Sequence, residues 1–138
     1  MDVIALIARI LFAFIFLGSA FGHLTNAEAM AGYAAGKKLP QPKLAVQFSG
    51  VWIGVAAVLL ILGVWPDLAA LMLLVFLLAT AFLFHAFWSE TSPEGKQQEQ
   101  IQFSKDVSLA GGALGFFVLY AAETHPGLNL VGPLFSLS

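Results

Sequence analysis

Histidine 85 and aspartate 106 are the residues of this chain with the most chemistry to offer. An imidazole titrates near neutral pH, so His85 can donate and accept a proton or hydrogen-bond to a carbonyl oxygen such as that of a quinone. Asp106 is the carboxylate that would orient its ring, and the pair are the catalytic candidates. The blander reading has His85 bonded to a backbone carbonyl or to interfacial water, and Asp106 accepting from the free amides at a helix start. His23, Trp52 and Trp88 complete the set that could touch a ligand. His23 falls at a helix end, where the macrodipole favours a cationic side chain and anchoring competes with binding. The tryptophans, with Trp65, Tyr33 and Tyr120, lie mostly near helix ends as an aromatic belt requires, although Trp52 is deep enough in its helix to wall a pocket beside His85. A metal site from His23, His85 and Asp106 can be drawn, but nothing in the spacing selects it and no metal is expected. Cysteine is absent, which removes thiol exchange and cysteine-held clusters from the mechanisms available.

Arg9 is a different case. It interrupts an apolar run, so it must snorkel or find a partner, and Asp2, Asp67 and Glu123 are the acids expected at its end of the molecule. Its reading is that of a structural charge in an ion pair.

The elements that would position these groups follow from composition. Of 138 residues, 59% are hydrophobic and 10% charged, too few polar groups to clothe every outward helix face in water. Net charge is −2 with no long basic run, which leaves no footprint for nucleic acid. A spanning helix needs about 20 apolar residues. Stretches at about residues 3–22, 44–64, 68–88 and 107–122 meet that need, the last being short. They predict an all-α membrane protein, a single domain over residues 1–138 folded as an antiparallel bundle of four transmembrane helices. A cleaved leader is the lesser reading of the first stretch, because Asp2 and Arg9 stand where a signal peptide would not have them.

Only Trp65-Pro66-Asp67 separates the second and third stretches, so these form a tight hairpin. The two longer connections lie together at the other end. One of them can form a short interfacial helix from Asn26, and Ser92-Pro93-Glu94-Gly95 in the other reads as a turn. Gly18 with Gly22, Gly50 with Gly54 and Gly111 with Gly115 offer close helix approach, within the bundle by preference and between copies as the alternative. Lys37, Lys38, Lys43, Lys96 and Lys105 all fall in the long connections, which places those loops in the cytoplasm and both termini outside.

With these residues in place, the chain resembles the DoxX family of small four-helix membrane proteins over nearly its whole length. The resemblance is carried by Arg9, Gly22-His23, Gly36 with Pro40, Gly50, Gly63, His85-Ala86-Phe87, and Asp106 followed by Gly111-Gly112. It departs from the family where Val51-Trp52 replaces a frequent Glu and where Asp106 replaces a frequent Asn. The resemblance implies a bacterial or archaeal cytoplasmic membrane and an association with redox metabolism, since related proteins are subunits of thiosulfate:quinone oxidoreductase.

Two functions are therefore expected to compete. One is a redox-associated subunit that contacts a quinone or a partner oxidoreductase through His85, Trp52, Trp88, His23 and Asp106. The other is a noncatalytic anchoring or assembly subunit, able to form a homo-oligomer through its glycines. A channel or transporter is disfavoured by the apolar middle of the helices.

Overall fold

A computed structural model describes residues 2–122 and 127–137. The described residues form helices α1 (Asp2–Thr25), α2 (Ala27–Gly36), α3 (Pro42–Leu62), α4 (Pro66–Leu83) and α5 (Pro93–Ala121), with one 3-10 turn at Phe87–Ser89. The fold is all-helical. Three segments, Asp2–Thr25, Pro42–Leu62 and Pro66–Ser89, are long and apolar enough to cross a membrane. The further helix, α5, has 29 residues, polar in its first half and apolar from Val107 onward.

Size is sorted across these helices in the order lipid favours. Ala13, Ala56, Ala57, Ala69, Ala81 and Ala113 are fully buried, while Phe14, Leu11 and Phe21 are 75%, 71% and 70% exposed. Small residues inside let backbones approach, and large apolar residues outside suit a hydrocarbon solvent. Helix α1 packs on α3, α3 on α4, and α4 on α5. The circuit closes through Phe12 of α1, whose ring lies 5.1 Å from that of Phe116 on α5. Of the glycine pairs, only Gly50 and Gly54 meet a neighbouring helix: a Cβ at Gly50 would stand 2.8 Å from His23 Cβ, and one at Gly54 3.3 Å from Ala20. Gly18, Gly22, Gly111 and Gly115 have open space beside them.

At the hairpin end, Gly63 closes α3 in the left-handed conformation (φ 64°), Trp65 follows at φ 43°, and Pro66 starts α4. The C-terminal segment folds back over this end. Leu130 and Val131 donate their amides to Leu62 and Gly63, at 3.2 and 3.0 Å. Asp67, fully buried near the start of α4, accepts from the amides of Leu134 and Phe135.

The expected ion pair of Arg9 takes another form. Arg9 is fully buried and donates to Asn129 Oδ1 at 2.7 Å and to the Leu128 carbonyl at 2.5 Å, with its guanidinium 5.9 Å from the centre of the Tyr120 ring. Among the described residues no carboxylate comes within ion-pairing distance of it, Asp2 and Asp67 included. Glu123 lies outside the described residues. Neutral oxygens folded back from the C-terminal segment do the work expected of an acid.

Three boundaries differ from the sequence reading, and each moves a candidate residue. Helix α1 continues a turn past Gly22, so His23 is inside it. Helix α4 stops at Leu83 because the Thr80 carbonyl accepts from both Phe84 and His85, which leaves His85 just beyond the helix. Helix α5 begins at Pro93, with the Ser92 hydroxyl accepting from the Gly95 amide at 3.1 Å. Asp106 is therefore in mid-helix, where the amides of a helix start are out of reach, and the supposed turn is an N-cap.

Candidate functional site

At the end opposite the hairpin, α1, α2, α3, α4 and α5 enclose a cavity of about 330 Å³. Its walls are mostly apolar, from Phe16, Met30, Leu77 and Phe84 among others, and its polar groups are His23, His85, Asp106, Ser49, Thr80 and Tyr33, with Lys105 at the margin. An apolar chamber with a few convergent polar groups is the common form of a small-molecule site.

His85 is held by two carboxylates of α5. Its Nδ1 donates to Glu99 Oε2 at 2.7 Å, and its Nε2 stands 3.7 Å from Asp106 Oδ2. Glu99 and Asp106 are seven residues apart, two helical turns, and so share the face of α5 that meets the end of α4. Asp106 has a closer partner in the Thr80 hydroxyl, which reaches its Oδ2 at 2.9 Å. The carboxylate in direct hydrogen bond with His85 is thus Glu99, which sequence reasoning passed over as part of a polar loop. Helix phase supplied the signal, since Ser92-Pro93-Glu94 is a helix start and puts Glu99 and Asp106 in register.

Glu99 is also the junction to α2. The Tyr33 hydroxyl shares its proton between Glu99 Oε1, at 3.0 Å, and the Phe84 carbonyl. Burial pushes the Glu99 carboxyl up, but hydrogen bonds from His85 and Tyr33 and the charges of His85 and Lys37 more than offset it, and it settles below its ordinary value. The Tyr33 phenol is raised by burial, by its bond to Glu99 and by the charges of Glu99 and Glu90. Lys37 pairs with Glu90 at 3.2 Å, a second tie between α2 and the segment that leads into α5.

His23 occupies the far side of the same cavity. Gly50 lets α3 approach closely enough for His23 Nδ1 to lie 2.7 Å from Ser49 Oγ, and Phe76 meets the imidazole edge-on at 6.1 Å.

The two tryptophans stand apart from the cavity lining. Trp52 donates its indole proton to the Met72 carbonyl at 2.8 Å and seals the contact between α3 and α4. Trp88 is 55% exposed and packs with Phe82, Phe87 and Phe103 in an aromatic cluster at the base of α5. Among the described residues, no group of three His, Asp or Glu converges to hold a metal ion.

A helical chain of this size, with outward-facing apolar surfaces and a polar-edged cavity at one end, is a small integral membrane protein. The profile of the DoxX family matches residues 4–86, and the chain belongs to that family. It is 32% identical over 125 residues, 91% of this chain and 85% of the relative, to the inner membrane protein YphA of Escherichia coli strain K12. No solved structure matches it. The family match includes His23 and His85, whereas Glu99 and Asp106 lie beyond it.

Proposed function

We propose that this protein crosses the cytoplasmic membrane four times and binds a quinone-like ring in the cavity between His23 and His85, as the membrane subunit of a redox system. The fourth crossing would be the part of α5 from Phe103 to Ala121, roughly 28 Å at about 1.5 Å per residue and close to the hydrocarbon thickness. The inner-membrane location of the YphA relative and the lysines in the loops support a cavity close to the cytoplasmic face, with both termini outside.

The observation that carries the reading is an apolar chamber lined by a histidine that is hydrogen-bonded to the Glu99 carboxylate. Interconverting quinone and hydroquinone moves two electrons and two protons. The electrons would pass to or from a partner oxidoreductase, and the chain's own part is to seat the ring, hydrogen-bond its oxygens and pass protons. His85 Nε2 is the group for the carbonyl, with Asp106 as its loose neighbour at 3.7 Å. Glu99 and Tyr33 lead from His85 towards the polar end of α5 and α2, the direction from which protons arrive.

Quinone-analogue binding to protein in lipid nanodiscs tests this directly. His85→Gln keeps bulk and hydrogen-bonding capacity but loses the titratable ring, and affinity is expected to fall more than tenfold, about 1.4 kcal/mol, with little change in melting. Wild-type protein that binds no quinone analogue would leave the anchoring subunit as the function.

A further inference from the structure

The hydrogen-bond bookkeeping around His23 sets the polarity of what the cavity can hold, and it rests on the reading of that cavity as a ring-binding site. Ser49 has one hydroxyl proton, and its Oγ lies 2.8 Å from the Val46 carbonyl, which can only accept. That proton is therefore spent on Val46. The 2.7 Å contact between Ser49 Oγ and His23 Nδ1 then requires the proton to come from the imidazole. A neutral ring with its proton on Nδ1 presents a lone pair at Nε2. Among the described residues, no carboxylate lies within ion-pairing distance of His23 to favour a doubly protonated ring, and no hydrogen-bond donor reaches Nε2.

The other imidazole has the opposite character. His85 is bracketed by Glu99 at 2.7 Å and Asp106 at 3.7 Å, so acceptors face both of its nitrogens; the ring donates from Nδ1 to Glu99 and, as an imidazolium, from Nε2 as well. The cavity thus offers an acceptor on the α1 side and a donor on the α4 side, across an apolar space.

We infer that His23 is a specificity residue that accepts a hydrogen bond from a ring hydroxyl, so that the cavity selects the hydroquinone form of its ligand over the quinone. A quinone has carbonyl oxygens at both ends, and the one facing His23 Nε2 would set lone pair against lone pair. A hydroquinone donates there and still accepts from His85 through the oxygen at its other end. Phe76, edge-on to the His23 ring, and Gly50, which admits His23 to Ser49, hold the imidazole in this role.

The experiment compares duroquinol, duroquinone and the dimethyl ether of duroquinol for binding to the full chain in nanodiscs under argon. Wild-type protein is expected to bind duroquinol at least tenfold more tightly than either of the others, and His23→Phe, which keeps an aromatic ring and removes the acceptor, to abolish that preference. Equal affinity of wild-type protein for all three would overturn the inference and leave the cavity as a ring site. Binding of none would remove the ring site as well. A second measurement needs no variant. Nitrogen chemical shifts of 15N-labelled histidine, assigned by comparison with His23→Phe if it folds and otherwise by through-bond correlation, should give Nδ1–H for His23, and an Nε2–H tautomer there would refute it.

Discussion

Replacing glycines by alanine, one at a time, separates helix propensity from helix packing in this molecule. A methyl group at Gly50 would lie 2.8 Å from His23 Cβ and 3.2 Å from Leu24 Cγ, one at Gly54 would lie 3.3 Å from Ala20 Cβ, and one at Gly111 would meet nothing within 4 Å. Carbon atoms are at ease at about 3.5–4.0 Å. All three positions are helical, so each alanine gains roughly the same helix propensity, about 0.8–1.0 kcal/mol. That gain cancels when the variants are compared with each other. What remains at Gly50 is overpacking against the stem of His23, which cannot swing away because its Cβ is fixed by the α1 backbone, and such insertions cost about 1–3 kcal/mol. Gly50→Ala is therefore expected to be about 1–3 kcal/mol less stable than Gly111→Ala. Gly54→Ala should fall between, since its neighbour has to yield only a few tenths of an ångström. Reversible unfolding by SDS in mixed micelles, followed by circular dichroism, measures the differences. Equal stability of Gly50→Ala and Gly111→Ala would show that α1 and α3 are not in the close contact that brings His23 to Ser49.

Two further outcomes are expected. Asn129→Ala removes the acceptor 2.7 Å from buried Arg9, and loss of one hydrogen bond to a charged group should cost about 1.5–3 kcal/mol in the same unfolding assay; a neutral result would mean that the C-terminal segment does not hold this guanidinium. A cysteine at Ser92, ahead of α5 and with the lysine-bearing loops, should resist a membrane-impermeant thiol reagent in intact cells and react after lysis, while labelling of intact cells would reverse the orientation.

The apolar helices were open to reading because their signal is compositional. Twenty apolar residues in a row leave one solvent and one secondary structure, whatever the neighbours are. The joining of the long connections at one end was equally legible, since a three-residue hairpin at Trp65-Pro66-Asp67 forces it. What escaped was decided by single hydrogen bonds. The stop of α4 depends on the Thr80 carbonyl taking two amides, and no local pattern announces that. Ser92 and Pro93 did announce a helix start, but read as a turn they hid the phase that brings Glu99 to His85. Asn129 reaches Arg9 from 120 residues away, a contact no periodicity encodes. Trp52 matched the profile of a pocket wall by depth alone, and its indole proton was claimed instead by Met72 on the adjacent helix.

The polar groups at the two ends are bound in different ways, and that difference bears on where chemistry can occur. At the hairpin end, Asp67 is closed off by main-chain amides and Arg9 by oxygens that neither gain nor lose a proton near neutral pH. A charge with such partners is fixed, because no proton can be handed to or from the groups around it. At the cavity end, the contacts run from side chain to side chain, through Tyr33, Glu99, His85, Asp106 and Thr80, and several of these groups can exchange a proton with the next. A buried network of that kind is costly unless every member is satisfied. Here the least satisfied contact is the 3.7 Å gap between His85 Nε2 and Asp106, and it opens on the cavity. A ligand oxygen placed there would complete His85's hydrogen bonding.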